Sequence, residues 1–237
     1  GVWPMEGALQ AVHAGVMWLI TAVPVPSAER TVRVKHAVNA HKACCPLVVA
    51  GLMASYRDGS YASYAYLAMH GTYGATWLVK DATFPDASWE APATPGAAFA
   101  LFACMSLFWV APWCVVSADD KPPPPVVFAA TSSYCVGLFL LHAADSQKHW
   151  TLRARPGLIT EGLFARCRNP NYLGEVLIYA AFATMACRSA AWWAPWAVNV
   201  LVWTVLFLPN WAAKDKSLAR HAGFREYAAR SGAIVPW

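Results

Sequence analysis

Residues 122–144 read PPPPVVFAATSSYCVGLFLLHAA, and this stretch contains no charged side chain. About 20 mostly apolar residues are enough for a helix to cross ~30 Å of hydrocarbon. The run of prolines that opens the stretch is typical of a stiff, extended connector. We therefore predict a membrane-spanning helix directly after the prolines.

The same character recurs along the chain, which is 58% apolar and only 13% charged, whereas soluble domains carry about 25% charged residues. Further charge-free runs occupy residues 7–28, 59–79, 91–118 and 189–213, with a shorter one at 43–56. A seventh apolar segment, residues 172–187, contains one charge, Glu175, one turn inside it. We predict an all-α, polytopic integral membrane bundle of about seven transmembrane helices, forming a single membrane domain over residues 1–237. Six helices are the alternative, if residues 43–56 dip into the membrane without crossing it.

The distribution of basic residues predicts an orientation. With seven spans, segments 26–42, 80–96, 144–170 and 210–237 lie on one side and carry 15 of the 18 Lys and Arg residues. Basic loops favour the cytoplasmic-equivalent side, so we place the C-terminus there. The net charge of +5 then reflects orientation and contact with membrane lipid, and it does not indicate nucleic-acid binding.

Two negative expectations follow from the polar residues outside these runs. The spacings His-x-x-x-His and His-Glu-x-x-His are missing, so we expect no metal site. The acidic residues that follow Lys80, namely Asp81, Asp86 and Glu90, are typical of a solvated loop.

The stretch Arg166–Glu175, RCRNPNYLGE, carries a helix-start signal at the mouth of an apolar segment. Asn169 suits the N-cap and Pro170 the first helical position. Free N–H groups at such an end attract an anion. A carboxylate one turn inside a short span, as Glu175 is, usually marks a site that faces the protein interior. The alternative is that the arginines only flank a membrane helix and that Glu175 reaches toward lipid headgroups.

One helical face links this start to the apolar segment. Residues 168, 172, 175 and 179 share that face by their spacing, and Gly174 beside it permits close approach of a ligand or a neighbouring helix. A second polar face occurs in residues 61–79, where Tyr66, His70 and Tyr73 align. Helix packing is one interpretation of that face, and polarisation of a substrate carbonyl is the other.

Four short motifs carry a resemblance to a known family. They are RCRNPNYLGE at residues 166–175, GLITEGLF at 157–164, FREY at 224–227 and IVPW at 234–237. Together they resemble the C-terminal domain of the steroid 5-alpha-reductase-like membrane enzymes, whose wider superfamily includes isoprenylcysteine carboxyl methyltransferases. The resemblance covers residues 140–237, which makes this half the expected cofactor-binding part.

The resemblance implies an NADPH-dependent reductase that acts on a double bond of a lipid-like substrate of steroid or isoprenoid type. The residues that it nominates as cofactor contacts are Arg168, Asn169, Asn171, Tyr172, Glu175, Arg225, Tyr227 and Arg230. The candidates for the catalytic acid are Tyr179, His70 and Tyr73. Families of this kind place a His where Asn169 stands. An Asn side chain can form hydrogen bonds, but it does not take up or release a proton at neutral pH.

Two alternatives remain beside the reductase. One is an S-adenosylmethionine-dependent membrane methyltransferase, in which the same basic loop holds the cofactor. The other is a non-catalytic accessory subunit that retains the fold and binds other membrane subunits.

Overall fold

The computed structural model describes residues 30–236, together with Gly7 and Ala11. The described part contains seven helices, which confirms the all-helical prediction. Their bounds are α1 Val34–Tyr56, α2 Tyr61–Thr83, α3 Pro95–Ser117, α4 Pro124–Ala154, α5 Pro170–Met185, α6 Trp193–Leu218 and α7 Phe224–Ala229. Apart from Gly7 and Ala11, the predicted span 7–28 lies outside the described residues.

Four of these helices are long and apolar enough to cross a membrane, namely α1, α3, α4 and α6. They support an integral membrane protein. Helix α5 has only 16 residues, and α2 carries several polar side chains. The count of seven crossings, the six-crossing alternative and the side on which each end lies therefore stay predictions.

Three helices extend well beyond the charge-free runs that predicted them. Helix α1 begins at Val34 and includes Lys42, α2 continues through Lys80, and α4 continues past Asp145. These three charged side chains are buried, with residue exposures of 3%, 4% and 6%. The predicted helices were therefore too short, with a late start for α1 and early ends for α2 and α4, because these charges are buried in the bundle.

Glycines allow the helices to approach closely at two crossings. A Cβ atom on Gly174 would lie 2.6 Å from the carbonyl oxygen of Gly137, so α5 and α4 meet backbone to backbone. A Cβ on Gly74 would lie 2.3 Å from the carbonyl oxygen of Lys42, where α2 meets α1. The predicted close approach at Gly174 is confirmed, and the neighbour there is a helix. Small residues serve this purpose in membrane bundles.

Two irregular turns interrupt the long helices near the core. A 3₁₀ turn at Ser106–Trp109 divides α3, and a π-helical turn at Trp203–Phe207 widens α6. The 3₁₀ turn brings Phe108 onto Tyr179, with ring centroids 4.4 Å apart. Inside the bundle, aromatic side chains of α2 pack on those of α5.

Ion pairs tie one end of the bundle together. Arg33 and Lys35 both pair with Glu90. Lys148 pairs with Asp86 at 2.9 Å, and Arg168 pairs with Asp215. All four segments that were predicted to share one side therefore meet at this end. At the opposite end Lys121 pairs with Asp58 at 2.7 Å.

The predicted solvated loop after Lys80 is corrected by these contacts. Asp86 and Glu90 are ion-paired, and Asp81 accepts a hydrogen bond of 2.8 Å from Asn39 of α1. A short antiparallel pairing of Val32–Arg33 with Pro92–Ala93 fixes the same loop against the start of α1. The loop is a structural tie between helices because its carboxylates neutralise cations from two of them.

Candidate functional site

Helix α5 begins at Pro170, directly after Asn169, as predicted. The Asn169 side chain, however, does not cap the helix. Its Nδ2 atom donates a hydrogen bond of 2.8 Å to the carbonyl oxygen of Ala233. The predicted position is thus confirmed and the predicted capping bond is wrong, because a distant segment takes the amide.

That segment is Ser231–Ile234, which we call the strap. Its backbone pairs with the strand-like turn before α5: Gly232 donates to the carbonyl of Arg166 at 2.9 Å and accepts from the amide of Arg168 at 2.8 Å. The Cys167 thiol contacts the carbonyl oxygen of Ile234 at 2.9 Å. The strap therefore contacts two of the residues that the resemblance assigns to the cofactor, Arg168 and Asn169.

Arg168 is held by its own chain. Its Nε and Nη2 atoms donate to the carboxylate of Asp215 at 3.2 and 2.9 Å, and Nη1 donates to the carbonyl oxygen of Ser231. The side chain is only 10% exposed. The guanidinium thus joins α6 and the strap to the start of α5, and its role as a cofactor contact stays a prediction.

Helix α7 is anchored to the loop before α5 by Tyr227, and the predicted cofactor contacts of Arg225, Tyr227 and Arg230 stay predictions. The Tyr227 hydroxyl is buried and donates 2.6 Å to the carbonyl oxygen of Phe164. Burial raises the pKa of this hydroxyl to about 12. Arg225 and Arg230, predicted beside it, are exposed.

Unsatisfied acceptors remain at the start of α5. The Oδ1 atoms of Asn169 and Asn171 are buried and have no hydrogen-bond partner within the described part of the chain. Nearby, Tyr172 stacks on Phe207 with centroids 5.4 Å apart, and the Lys214 ammonium lies 5.4 Å from the Tyr172 ring. A buried polar atom without a partner costs about 1–3 kcal/mol, so these oxygens mark a place where a donor group can bind.

NADPH fits these acceptors and the nearby lysine in part. Its hydroxyl and carboxamide groups would donate to Asn169 and Asn171, and Lys214 would face its negative charge. Arg168 would have to share its charge between a phosphate and Asp215.

Lys42 occupies an aromatic enclosure in the interior. Its ammonium lies 3.9 Å from the centroid of the Tyr73 ring, 5.2 Å from Trp77 and 5.9 Å from Tyr179. We call these four residues the Lys42 cage. Among residues 30–236, no carboxylate lies within ion-pair distance of this ammonium. Cation–π attraction is the main direct contact that holds it.

Two of the three predicted catalytic residues meet in this cage. The hydroxyl oxygens of Tyr73 and Tyr179 are 3.3 Å apart, and both side chains are buried. His70 lies one turn earlier on α2, stacks on Phe182 at 4.6 Å, and has an Nδ1 atom without a partner among the described residues. The structure therefore joins the tyrosines directly and leaves His70 in the adjoining layer.

A second charged region borders the cage. The Lys80 ammonium pairs with Asp145 at 2.6 Å, and both side chains are less than 10% exposed. Lys148 and Asp86 continue the row, beside a half-open cleft of about 460 Å³. We call these four residues the ion-pair row. Burial raises the pKa of Asp86, but the neighbouring Lys148 ammonium reverses the effect and leaves that pKa well below its usual range.

Sequence reasoning missed Lys42 and Lys80 as interior residues. One signal was present for Lys80, since the spacing of residues 73, 77 and 80 places Lys80 on the face of the buried aromatic side chains. Lys42 also lies at helical spacing from apolar residues, namely Val38 and Cys45, but the predicted helix began after it. In the part of the chain that the structure describes, no group of three His, Cys, Asp or Glu side chains is arranged to hold a metal ion.

Comparison with known proteins gives one family. No curated protein and no solved structure matches the chain. Residues 86–231, more than half of the chain, match the family described as protein of unknown function (DUF1295). This family is associated with steroid 5-alpha-reductase-like membrane proteins. The match includes α3 to α7, with the start of α5 and both partners of the Arg168 contact to Asp215. The chain belongs to the DUF1295 family.

Proposed function

We propose that the protein is a membrane-embedded, NADPH-dependent reductase that acts on a carbon–carbon double bond of a lipid-like substrate. The observation that carries the proposal is the pair of buried hydroxyls of Tyr73 and Tyr179, 3.3 Å apart inside a helical bundle. Two hydroxyls that share one hydrogen bond leave one O–H to donate elsewhere. That donor is suited to a carbonyl oxygen of an apolar molecule.

The reaction needs a hydride donor and a group that polarises the acceptor. NADPH, when bound, supplies the hydride to the β-carbon of an enone. Tyr73 or Tyr179 donates a hydrogen bond to the substrate carbonyl oxygen and so draws electron density away from that carbon. The surrounding aromatic side chains exclude water from the reacting atoms.

The positions on α5 bring the two functions together. Asn171, Tyr172 and Glu175 lie in its first two turns, and Tyr179 follows Glu175 by one turn. At 1.5 Å of rise per residue, Glu175 and Tyr179 are separated by about 6 Å along the helix. A cofactor held at the start of α5 would thus end close to the tyrosine pair, which is the proximity that hydride transfer requires. Membership of DUF1295 supports the same proposal through its association with reductase-like membrane proteins.

Ligand-induced thermal shift on the purified full chain tests the proposal. We expect NADPH to raise the unfolding temperature and S-adenosylmethionine to leave it unchanged. The opposite pattern would assign the protein to the methyltransferases. Tyr179→Phe should keep the NADPH shift and lower the rate of enone reduction, because it removes the donor and leaves the cofactor end intact.

A second candidate is the non-catalytic accessory subunit. The observation in its favour is that Arg168 and Asn169 both bind the protein's own chain. Binding of neither cofactor, together with stoichiometric co-purification of other membrane subunits, would establish this role instead.

A further inference from the structure

Lys42 is a buried cation without a direct anionic partner in the described structure. The residue is 3% exposed. Removal of a charge from water is costly, and buried charges are normally paired. Glu175 acts on Lys42 through space but lies outside ion-pair distance. Cation–π attraction to the surrounding rings offsets only part of this cost.

The cage offers many hydrogen-bond donors and few acceptors. An ammonium carries three donors and no acceptor, and none of those of Lys42 reaches a described oxygen. The faces of Tyr73, Trp77 and Tyr179 attract the charge without accepting a conventional hydrogen bond. The two tyrosine hydroxyls add one further donor. A ligand oxygen that carries negative charge would accept hydrogen bonds from these surplus donors.

We infer that Lys42 binds an oxyanion of the ligand, namely an enolate or phenolate oxygen at the end of an apolar ring system. The inference rests on the proposed reductase function and deepens it. When hydride adds to the β-carbon, the electron pair of the double bond moves toward the carbonyl and forms an enolate. The Lys42 ammonium and a tyrosine hydroxyl hold the enolate oxygen. A proton that derives from water then adds at the α-carbon, where the electron pair of the enolate forms the new C–H bond, and the carbonyl is restored.

Room for the ring comes from the side of α3. A void of about 10 Å³ borders Tyr179 and is lined by Phe108 and Phe182. This volume accommodates about one water molecule. An entering ring therefore displaces Phe108, which stacks on Tyr179 from the 3₁₀ turn of α3. Such a turn shifts more readily than a regular helix.

The test uses 2-naphthol, an apolar ring system whose absorption spectrum distinguishes the ground-state neutral phenol from the phenolate. The purified full chain is titrated at neutral pH, where free 2-naphthol is protonated. We expect the wild-type protein to bind it as the phenolate. Lys42→Met should weaken binding by roughly ten- to a hundredfold, as expected for loss of a charged hydrogen bond. Any remaining bound probe should give the neutral signal.

Three variants separate charge from packing. Lys42→Arg should keep the phenolate signal, because the cation remains. Tyr73→Phe should keep it with weaker binding, since one donor is lost. Lys216→Met removes an equal charge from an exposed position and should behave as wild type. If Lys42→Met does not fold, Lys42→Gln replaces it with the same expected loss.

The outcomes also distinguish this inference from the proposed function. No binding of 2-naphthol, or a phenolate signal that persists in Lys42→Met, overturns the oxyanion site even if NADPH binds. A phenolate signal that depends on Lys42, in a protein that NADPH does not stabilise, supports the site and overturns the reductase.

Discussion

The Lys42 cage and the ion-pair row each contain a buried lysine, but only the lysine in the row has a carboxylate partner. Lys42 and Lys80 are 3% and 4% exposed, and both lie over the ring of Trp77, at 5.2 and 4.5 Å. Lys80 has the Asp145 carboxylate 2.6 Å away, whereas Lys42 is enclosed by aromatic faces and has Glu175 only beyond ion-pair distance. Burial alone therefore does not tell what a charged residue does; its counter-charge does.

The difference originates in the helices that face each lysine. Helix α4 presents Asp145 to Lys80, and α5 presents the Tyr179 ring to Lys42. A paired charge joins two helices and is already neutralised. A charge among rings keeps its donors, so the same chemistry serves structure in one region and ligand binding in the other.

The largest expected effect comes from making the same substitution in both regions. Lys80→Met leaves Asp145 buried without its partner, so we expect a loss of about 3–5 kcal/mol in the free energy of unfolding. Lys42→Met removes a cation–π contact and a desolvation cost together, so the change should stay below about 2 kcal/mol. Equilibrium unfolding in denaturant measures both.

Equal losses of stability in the two methionine variants would contradict the difference between the paired Lys80 and the cage-bound Lys42. The exposed pair of Arg155 and Glu161, whose side chains are more than half exposed, supplies the control. Glu161→Gln should cost no more than about 1 kcal/mol.

Arg168 extends the comparison to a third cation. Because its side chain joins Asp215 and the strap, Arg168→Ala should lower the free energy of unfolding by about 1.5–3 kcal/mol, the range for hydrogen bonds to charged groups. Protease susceptibility of residues 231–234 should rise in the same variant. If stability is unchanged while NADPH affinity falls, Arg168 belongs with Lys42 as a ligand-binding cation.

A substitution at Gly74 should displace the Lys42 cage, because Gly74 lies directly against the backbone of Lys42. Gly74→Ala puts a methyl group against the Lys42 carbonyl oxygen, so α1 and α2 must separate, at a cost of about 1–3 kcal/mol. Gly71→Ala is the matched control on the same helix, since its Cβ would make an ordinary 3.5 Å contact with Pro46. We expect the control to be neutral or slightly stabilising. Similar losses in both variants would contradict the close approach at Gly74.

The smallest expected effect is a pH dependence at the outer end of the ion-pair row. The pKa of Asp86 is lowered in the folded state, so its contribution to stability is present above the ordinary Asp pKa and is lost as pH falls below it. The unfolding temperature should therefore begin to fall below about pH 5 and continue to fall as the pH approaches the lowered folded-state pKa. The unfolding temperature of Asp86→Asn should fall less steeply with decreasing pH. An identical pH dependence in the variant would show that the pair of Asp86 with Lys148 does not contribute to it.

The sequence predicted the helical class, the start of α5 and the four segments that meet at one end. These follow from local signals: apolar runs, an Asn-Pro start and the positions of basic residues. It did not predict where Lys42, Lys80 and Asp145 lie. Each borders an apolar run, Lys42 before it and the other two after it, and a charge in that position is normally a sign that the helix lies outside the membrane there.

The pairings were beyond local reasoning for a physical reason. Lys80 and Asp145 are distant in the chain, and only the packing of α2 against α4 makes them neighbours. The same holds for Asn169, whose type suits a helix cap but whose amide bonds the strap. A residue's chemistry can be known from its type, whereas its partner depends on the tertiary fold.

The strap has a consequence for mutational surveys of the protein. Ser231, Gly232, Ala233 and Ile234 each offer a main-chain carbonyl to residues 167–169, so the contacts do not depend on which side chains they carry. Alanine replacement would therefore leave these main-chain contacts in place, and at Ser231 it would report only on the hydrogen bonds of the side-chain hydroxyl. Backbone ester substitution, which weakens main-chain acceptors one at a time, would reveal the strap.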